Sequence, residues 1–368
     1  RSILFLPVTT PCHIVVDEFQ DTSYDQDHME PFYRGLELIK ELADILGATL
    51  VYVSATPLVE SYFRVKNDEM AYFHLPERAV EKSKLPDIEL VNMSKEREYI
   101  LSVKLKKEIK RTLEEKGQVI LFYNRRGFFR NVKCKECGTV LKCSECEVPL
   151  VYHRDLNGLM CHYCGTLHEI PDKCPECGNY HLDFRGLGIQ QVEDKIKEEF
   201  PDHSVGRLDR DVSSDFLRMQ EIFADFNTGD IDILLGTQLV AKGIDFSNVI
   251  LVGVISAEVL FAVPDYRTSE MGFALLTQVS GRAGRGEKRG KVFVQTYNPH
   301  NEIIKYSLSH KLEKFYNYEI NLREKLKFPP FSYMGKVEVT GKREKSVKEE
   351  ARKVKDYLYE NGVNAMGP

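Results

Sequence analysis

Short apolar runs alternate along the chain with stretches whose apolar residues recur at helical spacing. Residues 13–16 (His-Ile-Val-Val) and Thr49–Val53 are β-rich runs, and Leu36–Leu46 between them has the spacing of a helix that ends at Gly47. Because the first run leads into Asp17-Glu18, we expect a buried strand that delivers carboxylates at its C-terminal end. This alternation predicts a parallel sheet with helices on its faces.

A second α/β series follows a charged, proline-containing stretch at residues 81–87, which we interpret as a linker or a boundary between lobes. Its expected elements are helices at 99–115, 190–200, 216–226 and 272–279, and strands at 119–123, 204–208, 231–235, 249–254 and 291–296. In the first of these helices, Ile100, Val103, Ile109 and Leu113 are expected on one side. From Phe328 onward we expect a third unit with a strand at 333–340, a basic helix at 347–359 and a strand starting at 363.

Composition and charge narrow the class of protein. Hydrophobic residues make up 42% and aromatic residues 10% of the 368 residues, which excludes a disordered or collagen-like chain. The formal net charge of −5 excludes a strongly basic nucleic-acid coat but leaves room for a local basic groove. Because no apolar run approaches the roughly 20 residues that span a bilayer and no signal-peptide pattern opens the chain, we expect a cytoplasmic protein without membrane contact.

The cysteines predict metal sites. Nine are present, and eight of them form four CxxC pairs: Cys134 and Cys137, Cys143 and Cys146, Cys161 and Cys164, and Cys174 and Cys177. One tight turn presents two thiolates of such a pair to a tetrahedral ion, so four pairs predict two structural zinc sites with closed, four-cysteine shells. Sequential, alternating and nested pairings of the pairs all remain open. We interpret His162 and His168, which lie in the same segment, as surface residues.

Polar motifs follow the expected strands in a fixed order. They are Asp17-Glu18, then Ser54-Ala55-Thr56, then Gly236-Thr237-Gln238 with Lys242-Gly243 and Asp245, and last Gln278, Gly281, Arg282 and Arg285. In this order they resemble motifs II, III, V and VI of the superfamily 2 helicases. The segment Ile120–Phe128, the CxxC pairs after it and Pro329-Pro330-Phe331 narrow the resemblance to the primosomal replication-restart DNA helicases, the PriA family.

The resemblance implies an α/β fold of RecA-like helicase lobes, the first of them partial, with an inserted two-zinc module and the start of a small α+β C-terminal domain. The expected division is 1–86 for the C-terminal part of the first lobe, 87–130 with 184–300 for the second lobe, 131–183 for the zinc-binding insertion and 301–368 for the start of the C-terminal domain.

The same resemblance assigns roles to residues. Asp17 would hold Mg²⁺, Glu18 would orient or deprotonate the attacking water, and Arg282 and Arg285 would act as arginine fingers. The other expected nucleotide-binding residues are Gly243, Asp245, Gln278 and Gly281. The residues expected to contact DNA or couple it to hydrolysis are Ser54, Thr56, Arg125, Arg126, Thr237, Gln238 and Lys242.

Two features depart from the family pattern. Motif II is usually Asp-Glu-Glu-His, and Phe19-Gln20 replace its last two residues, which relate motif II to motif III. No GxxxxGK[ST] loop occurs in the 368 residues, and the family places that loop upstream of residue 1. We therefore expect a fragment that lacks its P-loop and does not hydrolyse ATP alone.

The leading interpretation is an ATP-dependent 3′–5′ DNA helicase that unwinds stalled forks and reloads the replication machinery, with the polarity implied by the family. Its cofactors would be two structural Zn²⁺ ions and ATP with Mg²⁺, which needs the missing P-loop. Its partners would be single-stranded and branched DNA, primosome proteins and single-strand-binding proteins. The alternative is a non-motor zinc-binding adaptor that retains helicase-like lobes as a scaffold.

Overall fold

The structure, a computed structural model, describes most of the chain. The described residues are 13–26, 32–75, 86–98, 100–123, 132–134, 136–145, 150–153, 158–161, 166–183, 189–209, 216–237, 246, 248–261, 265–281, 283, 289–341, 344–365 and 367. Two compact units emerge, one of Arg1–Leu75 with Leu312–Tyr333 and one of Pro76–Lys311 with Met334–Pro368. The four-part division expected from the sequence has different boundaries and stays a prediction.

The α-helices and β-strands of the described residues follow in chain order. They are β1 (His13–Asp17), α1 (Gly35–Leu46), β2 (Thr49–Val53), α2 (Val59–Lys66), β3 (Asp87–Asn92), α3 (Val103–Glu114), β4 (Gln118–Phe122), β5 (Lys133–Cys134), β6 (Val151–His153), β7 (Gly158–Met160), β8 (Leu167–His168), β9 (Leu182–Asp183), α4 (Ile189–Glu199), β10 (Val205–Leu208), α5 (Phe216–Thr228), β11 (Ile233–Gly236), β12 (Val249–Val254), α6 (Thr268–Ser280), β13 (Lys291–Thr296), α7 (Glu302–Leu308), α8 (Leu312–Leu326) and α9 (Glu344–Glu360). None of these helices is long and apolar enough to cross a membrane.

In the first unit, β1 and β2 pair in parallel, with Asp17 opposite Val53. Helix α1 ends where the sequence predicts, at Gly47, whose φ of 60° is cheap for glycine. The prediction that β1 is buried is wrong. Val16 packs with Phe19 beneath α1, but Val15 on the opposite face is 64% exposed, because among the described residues β2 is the strand that pairs with β1.

The second unit is built on a six-stranded sheet in the order β10-β11-β4-β12-β13-β3, and every neighbouring pair is parallel. The parallel α/β sheet expected from the sequence is therefore confirmed. Side chains alternate between its two faces, so that Ile120 and Phe122 of β4 lie in one buried cluster while Val119 and Leu121 lie in the other. Burial on both faces explains why β4 and β12 read as continuous apolar runs.

Two local expectations in this unit are corrected. Asp87, expected at the end of a linker, begins the edge strand β3, whose alternating polar residues do not resemble a central strand. Helix α3 begins at Val103, later than residue 99, because the Ser102 side chain accepts a hydrogen bond from the Leu105 N–H and caps the helix. Val103 is 60% exposed, and the buried face instead carries Leu105 together with Ile109 and Leu113.

The end of the chain differs most from expectation. Helix α9 confirms the predicted basic helix, but residues 333–340 and 363–365 form no strand. The residues at 333–340 have no neighbouring strand among the described residues, and Tyr333 and Val337 are exposed, so the hydrogen bonds that define a strand are missing. Helices α7 and α8 were not predicted, and α8 packs against α2 in the first unit.

Candidate functional site

The carboxyl ends of β1 and β2 bring motifs II and III together. Asp17 ends β1, and Glu18 follows it in the left-handed backbone region with φ of 47°. The Glu18 N–H donates to the Asp17 carboxylate at 3.0 Å, and both side chains are exposed. Ser54 comes directly after β2, so both predicted carboxylates and the predicted coupling residue lie at one edge of the sheet.

Gln20 joins the two motifs. Its side-chain NH₂ donates to the Glu18 carboxylate, and its carbonyl oxygen accepts from the Ser54 hydroxyl at 2.5 Å. The Ser54 hydroxyl oxygen in turn accepts from the Thr56 N–H at 2.9 Å. The sequence showed Gln20 only as a departure from the family motif, yet the amide of this residue makes the connection between motifs II and III.

Tyr24 is hydrogen-bonded to the backbone of motif II. Its hydroxyl donates to the Asp17 carbonyl oxygen at 2.6 Å. Burial, followed by the Asp17 carboxylate, raises the pKa of Tyr24, so the hydroxyl stays protonated and remains a donor near neutral pH. The backbone that carries Asp17 is therefore held by the Tyr24 hydroxyl.

Three of the site residues expected in the second unit lie in its described part. Thr237 follows β11 and donates its N–H to the Leu208 carbonyl at 3.1 Å. Gln278 lies near the C-terminal end of α6, and Gly281 caps that helix. The remaining predicted residues lie outside the described part of the chain, and their roles stay predictions: Arg125, Arg126, Gln238, Lys242, Gly243, Asp245, Arg282 and Arg285.

The first and last CxxC pairs form a group that could hold a metal ion, called the outer centre below. The Sγ atoms of its four residues all lie within 4.8 Å of one another, and these residues are Cys134, Cys137, Cys174 and Cys177. The Sγ atoms are 3.6 Å apart both between Cys134 and Cys177 and between Cys137 and Cys174. Two thiolates bound to one tetrahedral zinc would lie about 3.8 Å apart. This contact selects the nested pairing from the three that the sequence leaves open.

The outer centre is built from two turns of the same kind. In each turn the N–H of the first cysteine donates to a carbonyl five residues later, from Cys134 to Thr139 at 2.9 Å and from Cys174 to Asn179 at 2.8 Å. Gly138 and Gly178 follow the second cysteines with φ of 72° and 70°. This left-handed backbone conformation costs little at glycine, which has no Cβ.

The thiol chemistry of the outer centre fits a cation. Burial opposes ionisation of the Cys137 thiol, but hydrogen bonds with Thr139 and neighbouring cysteines lower its pKa to about 7. A backbone hydrogen bond from Asn179 favours the Cys177 thiolate, yet loss of solvent and three neighbouring cysteines raise its pKa to about 12. Four thiolates at such short distances would repel one another, so a cation that displaces the thiol protons, as zinc does, suits this donor set.

The two middle CxxC pairs would supply a second centre, called the inner centre below. Cys143 and Cys161 are buried in one small apolar cluster, and the Cys161 N–H donates to the Thr166 carbonyl at 2.9 Å, as in the outer turns. Cys146 and Cys164 lie outside the described residues, as does His162. The interpretation of His168 as a surface residue is wrong, because it is half-buried with Nε2 at 3.2 Å from the Cys143 Sγ.

The zinc segment rests against the six-stranded sheet. A Cβ on Gly138 would lie 2.0 Å from the Tyr297 ring, so the turn at Gly138 packs directly against this residue, which follows β13. The Tyr297 N–H donates to Glu258 at 2.8 Å, and burial together with Glu258 raises the pKa of Tyr297 to about 12. Sequence reasoning missed this contact, since no motif marks Tyr297 or Glu258.

Family models match two parts of the chain. Residues 187–287 match the helicase conserved C-terminal domain, and residues 143–166 match the Cys-rich region domain of the PriA DNA helicase. The replication restart protein PriA of Bacillus subtilis is 38% identical over 375 residues, which cover 100% of this chain and 46% of that protein. The chain belongs to the PriA family.

Other PriA relatives agree with this assignment. PriA of Borreliella burgdorferi is 34% identical over 100% of this chain and 56% of that protein, and PriA of Thermotoga maritima is 33% identical over 100% and 49%. The chain thus spans about half the length of these PriA relatives. Among solved structures, RecG bound to a three-way DNA junction is similar at a TM-score of 0.44 and 14% identity, over 92% of this chain and 33% of that one. The family resemblance noted from the motifs is confirmed by the sequence matches.

Proposed function

We propose that this chain is the motor segment of a replication restart helicase that uses ATP to unwind DNA at stalled forks, moving 3′ to 5′, and to reload the replication machinery. The observation that carries the proposal is the match of the whole chain to PriA proteins at 33–38% identity. In this proposal the protein acts in the cytoplasm with single-stranded and branched DNA, primosome proteins and single-strand-binding proteins as partners. The link from Glu18 through Gln20 to Ser54 favours a motor over a zinc-binding adaptor.

ATP, bound together with Mg²⁺, would complete the nucleotide site and would supply the phosphoryl group. Exposed carboxylates at a strand end suit Mg²⁺, because this ion binds proteins through one or two carboxylates and takes its other ligands from phosphates and water. Asp17 would hold the ion, and Glu18 would orient the attacking water and accept its proton. From the second lobe, Arg282 and Arg285 would neutralise phosphate charge, with the other nucleotide contacts at Gly243, Asp245, Gln278 and Gly281.

The DNA strand would be contacted by the loops that follow the strands. The proposed residues of this surface and of its coupling to hydrolysis are Ser54, Thr56, Arg125, Arg126, Thr237, Gln238 and Lys242. Ser54 and Thr56 support this role because they are hydrogen-bonded to one another and, through Gln20, to the carboxylate of Glu18.

Zinc would have a structural role at both centres. The nested outer pairs support a first Zn²⁺, and the shared turn geometry at Cys161 supports a second one at Cys143, Cys146, Cys161 and Cys164. Four thiolates leave no open position for water, so neither ion would take part in hydrolysis.

The proposal is tested with the full-length protein that contains this chain, as wild type and as Glu18→Gln. We expect DNA-stimulated ATP hydrolysis and fork unwinding from the wild type, and a loss of at least about 100-fold in turnover from Glu18→Gln with DNA binding retained, because the base for the water is gone. Glu41→Gln, an exposed carboxylate on α1, is the matched control and keeps wild-type turnover. The 368 residues alone, which contain no GxxxxGK[ST] loop, are expected to show no turnover. Full activity of Glu18→Gln, or DNA-stimulated turnover by the 368 residues alone, would contradict the proposal.

A further inference from the structure

His168 lies on a hairpin that leads into the inner centre. Strands β7 and β8 are antiparallel, with Leu159 opposite His168. Strand β7 runs directly into Cys161, and its partner β8 presents the His168 ring to Cys143, with Nε2 at 3.2 Å from Sγ. The hairpin therefore carries one expected zinc ligand on one strand and, on the other, a ring nitrogen in contact with a second ligand.

The distance indicates a hydrogen bond. If His168 and Cys143 both bound one tetrahedral zinc, with bonds of about 2.0 and 2.3 Å, their N and S atoms would lie about 3.6 Å apart. Nε2 and Sγ are instead 3.2 Å apart, within hydrogen-bond distance, and because a zinc-bound thiolate carries no proton, Nε2–H would be the donor. The four cysteines of the middle pairs would also fill the shell by themselves, so the histidine remains outside it.

Because the inner centre is buried, this hydrogen bond would stabilise the negative charge of its thiolates. Four thiolates around one Zn²⁺ carry a net charge of about −2. Cys143 is 2% exposed and Cys161 is fully buried, so water does not solvate that charge at these two sulfurs. At the outer centre, Cys177 is exposed to solvent and the Cys137 Sγ contacts the Thr139 hydroxyl at 3.1 Å. A buried thiolate is costly unless a hydrogen-bond donor faces it, and Nε2 of His168 lies at hydrogen-bond distance from Cys143.

We propose that His168 is a positioning residue of the inner zinc centre, which donates its Nε2–H to the Cys143 thiolate and thereby slows both zinc release and alkylation of that sulfur. The hydrogen bond places the proton on Nε2 and draws electron density from Sγ, so the sulfur is a weaker nucleophile toward an added reagent. The proposal rests on the inner zinc site of the proposed function.

Three variants of the 368-residue chain test it. His168→Leu removes the donor, and His168→Gln keeps an amide N–H at about the reach of Nε2. His181→Leu is the matched control, because His181 is in the same segment but is exposed and faces Glu136. The measurements are zinc content, the rate of zinc transfer to a coloured chelator, and the rate of iodoacetamide labelling of each cysteine by mass spectrometry. The absorption spectrum after cobalt(II) replacement reports the ligand set.

We expect two zinc ions per chain in the wild type. In His168→Leu, one of the two release phases and the labelling of Cys143 should be about 10-fold faster, as is typical when an outer partner of a ligand is removed. His168→Gln should recover most of the difference, His181→Leu should match the wild type, and the cobalt spectrum should be the same in all four proteins.

The outcomes distinguish a failure of the role of His168 from a failure of the inner zinc site on which that role rests. A wild type that binds a single zinc would overturn the inner site itself. Two zinc ions with unchanged release and labelling in His168→Leu would overturn only the role of His168. A cobalt spectrum that loses a nitrogen ligand in His168→Leu would also overturn that role, because the histidine would then be a ligand.

Discussion

Gln20 carries a donor and an acceptor on one amide, and both are used. The NH₂ group donates a hydrogen bond to the carboxylate of Glu18, while the carbonyl oxygen accepts one from the Ser54 hydroxyl. A carboxylate in this position would repel Glu18, and an apolar residue would leave both partners without this contact. At the scale of single residues, the link between the two motifs therefore requires an uncharged side chain that both donates and accepts.

This requirement predicts the effect of changing Gln20 in the full-length protein. Gln20→Leu should lower fork unwinding by about 10-fold, the equivalent of one hydrogen bond to a charged group, while single-stranded DNA binding is retained. Gln20→His restores the usual residue of the family motif, which also donates and accepts, and should stay near the wild-type rate. The measurements are the rate of fork unwinding and the number of base pairs unwound per ATP hydrolysed. Equal coupling in Gln20→Leu and wild type would show that the link has no role in the motor.

At the scale of elements, the outer zinc turn is shaped by two separate constraints on Gly138. Its φ of 72° is strained for any residue with a Cβ, and the Tyr297 ring occupies the place where that Cβ would lie. Gly178 has a φ of 70° but nothing within 4 Å of the position of its Cβ. The two glycines therefore form a matched pair that differs only in the contact with the sheet.

Alanine at each glycine should separate the two constraints. Gly178→Ala should lower the free energy of unfolding by about 1–2 kcal/mol, the cost of the left-handed backbone alone. Gly138→Ala should cost more than this, because the turn must also move away from Tyr297. In a Tyr297→Ala background that excess should disappear, as chemical denaturation of the double-mutant cycle would show. If both alanine variants lowered the free energy of unfolding equally in the wild-type background, the contact between the Gly138 turn and Tyr297 would have no energetic effect.

At the scale of the whole molecule, the buried residues form separate clusters. Two large clusters cover the faces of the six-stranded sheet, while a small one, with Leu141, Leu150 and Leu159 at its centre, lies around Cys143 and Cys161. The small cluster has too little apolar surface to be stable without further links, and metal ions are a common supplement in such small units. The six-stranded sheet does not depend on metal ions in this way, because two large buried clusters cover its faces.

Removal of zinc should therefore unfold the small cluster around Cys143 and Cys161 and leave the six-stranded sheet folded. After treatment with a strong chelator under reducing conditions, the amide protons of β6, β7 and β8 should exchange within the dead time of the experiment. Those of β4, β12 and β13 should keep their protection, because their hydrogen bonds lie inside the large clusters. Re-addition of zinc should restore the protected state. Simultaneous loss of protection in both sets of strands would contradict this separation.

Much of the fold and part of the candidate site follow from local sequence. The bounds of β2, β12 and β13 agree with the structure residue for residue, because a strand with both faces buried, or with strict alternation, has a period that few other segments imitate. The turns at Gly47, Gly138 and Gly178 follow from the low cost of positive φ in glycine. The order of the motifs and the spacing of the cysteines were enough to indicate the family, and the sequence matches confirm it.

Only the tertiary structure decided which distant segments meet. The nested pairing of cysteines, the addition of β3 to the sheet edge and the packing of α8 on α2 each join residues far apart in the chain. Arg323 of α8, which is fully buried, pairs with Glu60 of α2 and with Glu319, whose pKa is raised by burial. Spacing and periodicity report the conformation of a segment, but a pairing across many residues depends on which surfaces exclude water together and satisfy their hydrogen bonds. These long-range pairings are therefore determined only when the whole chain is packed.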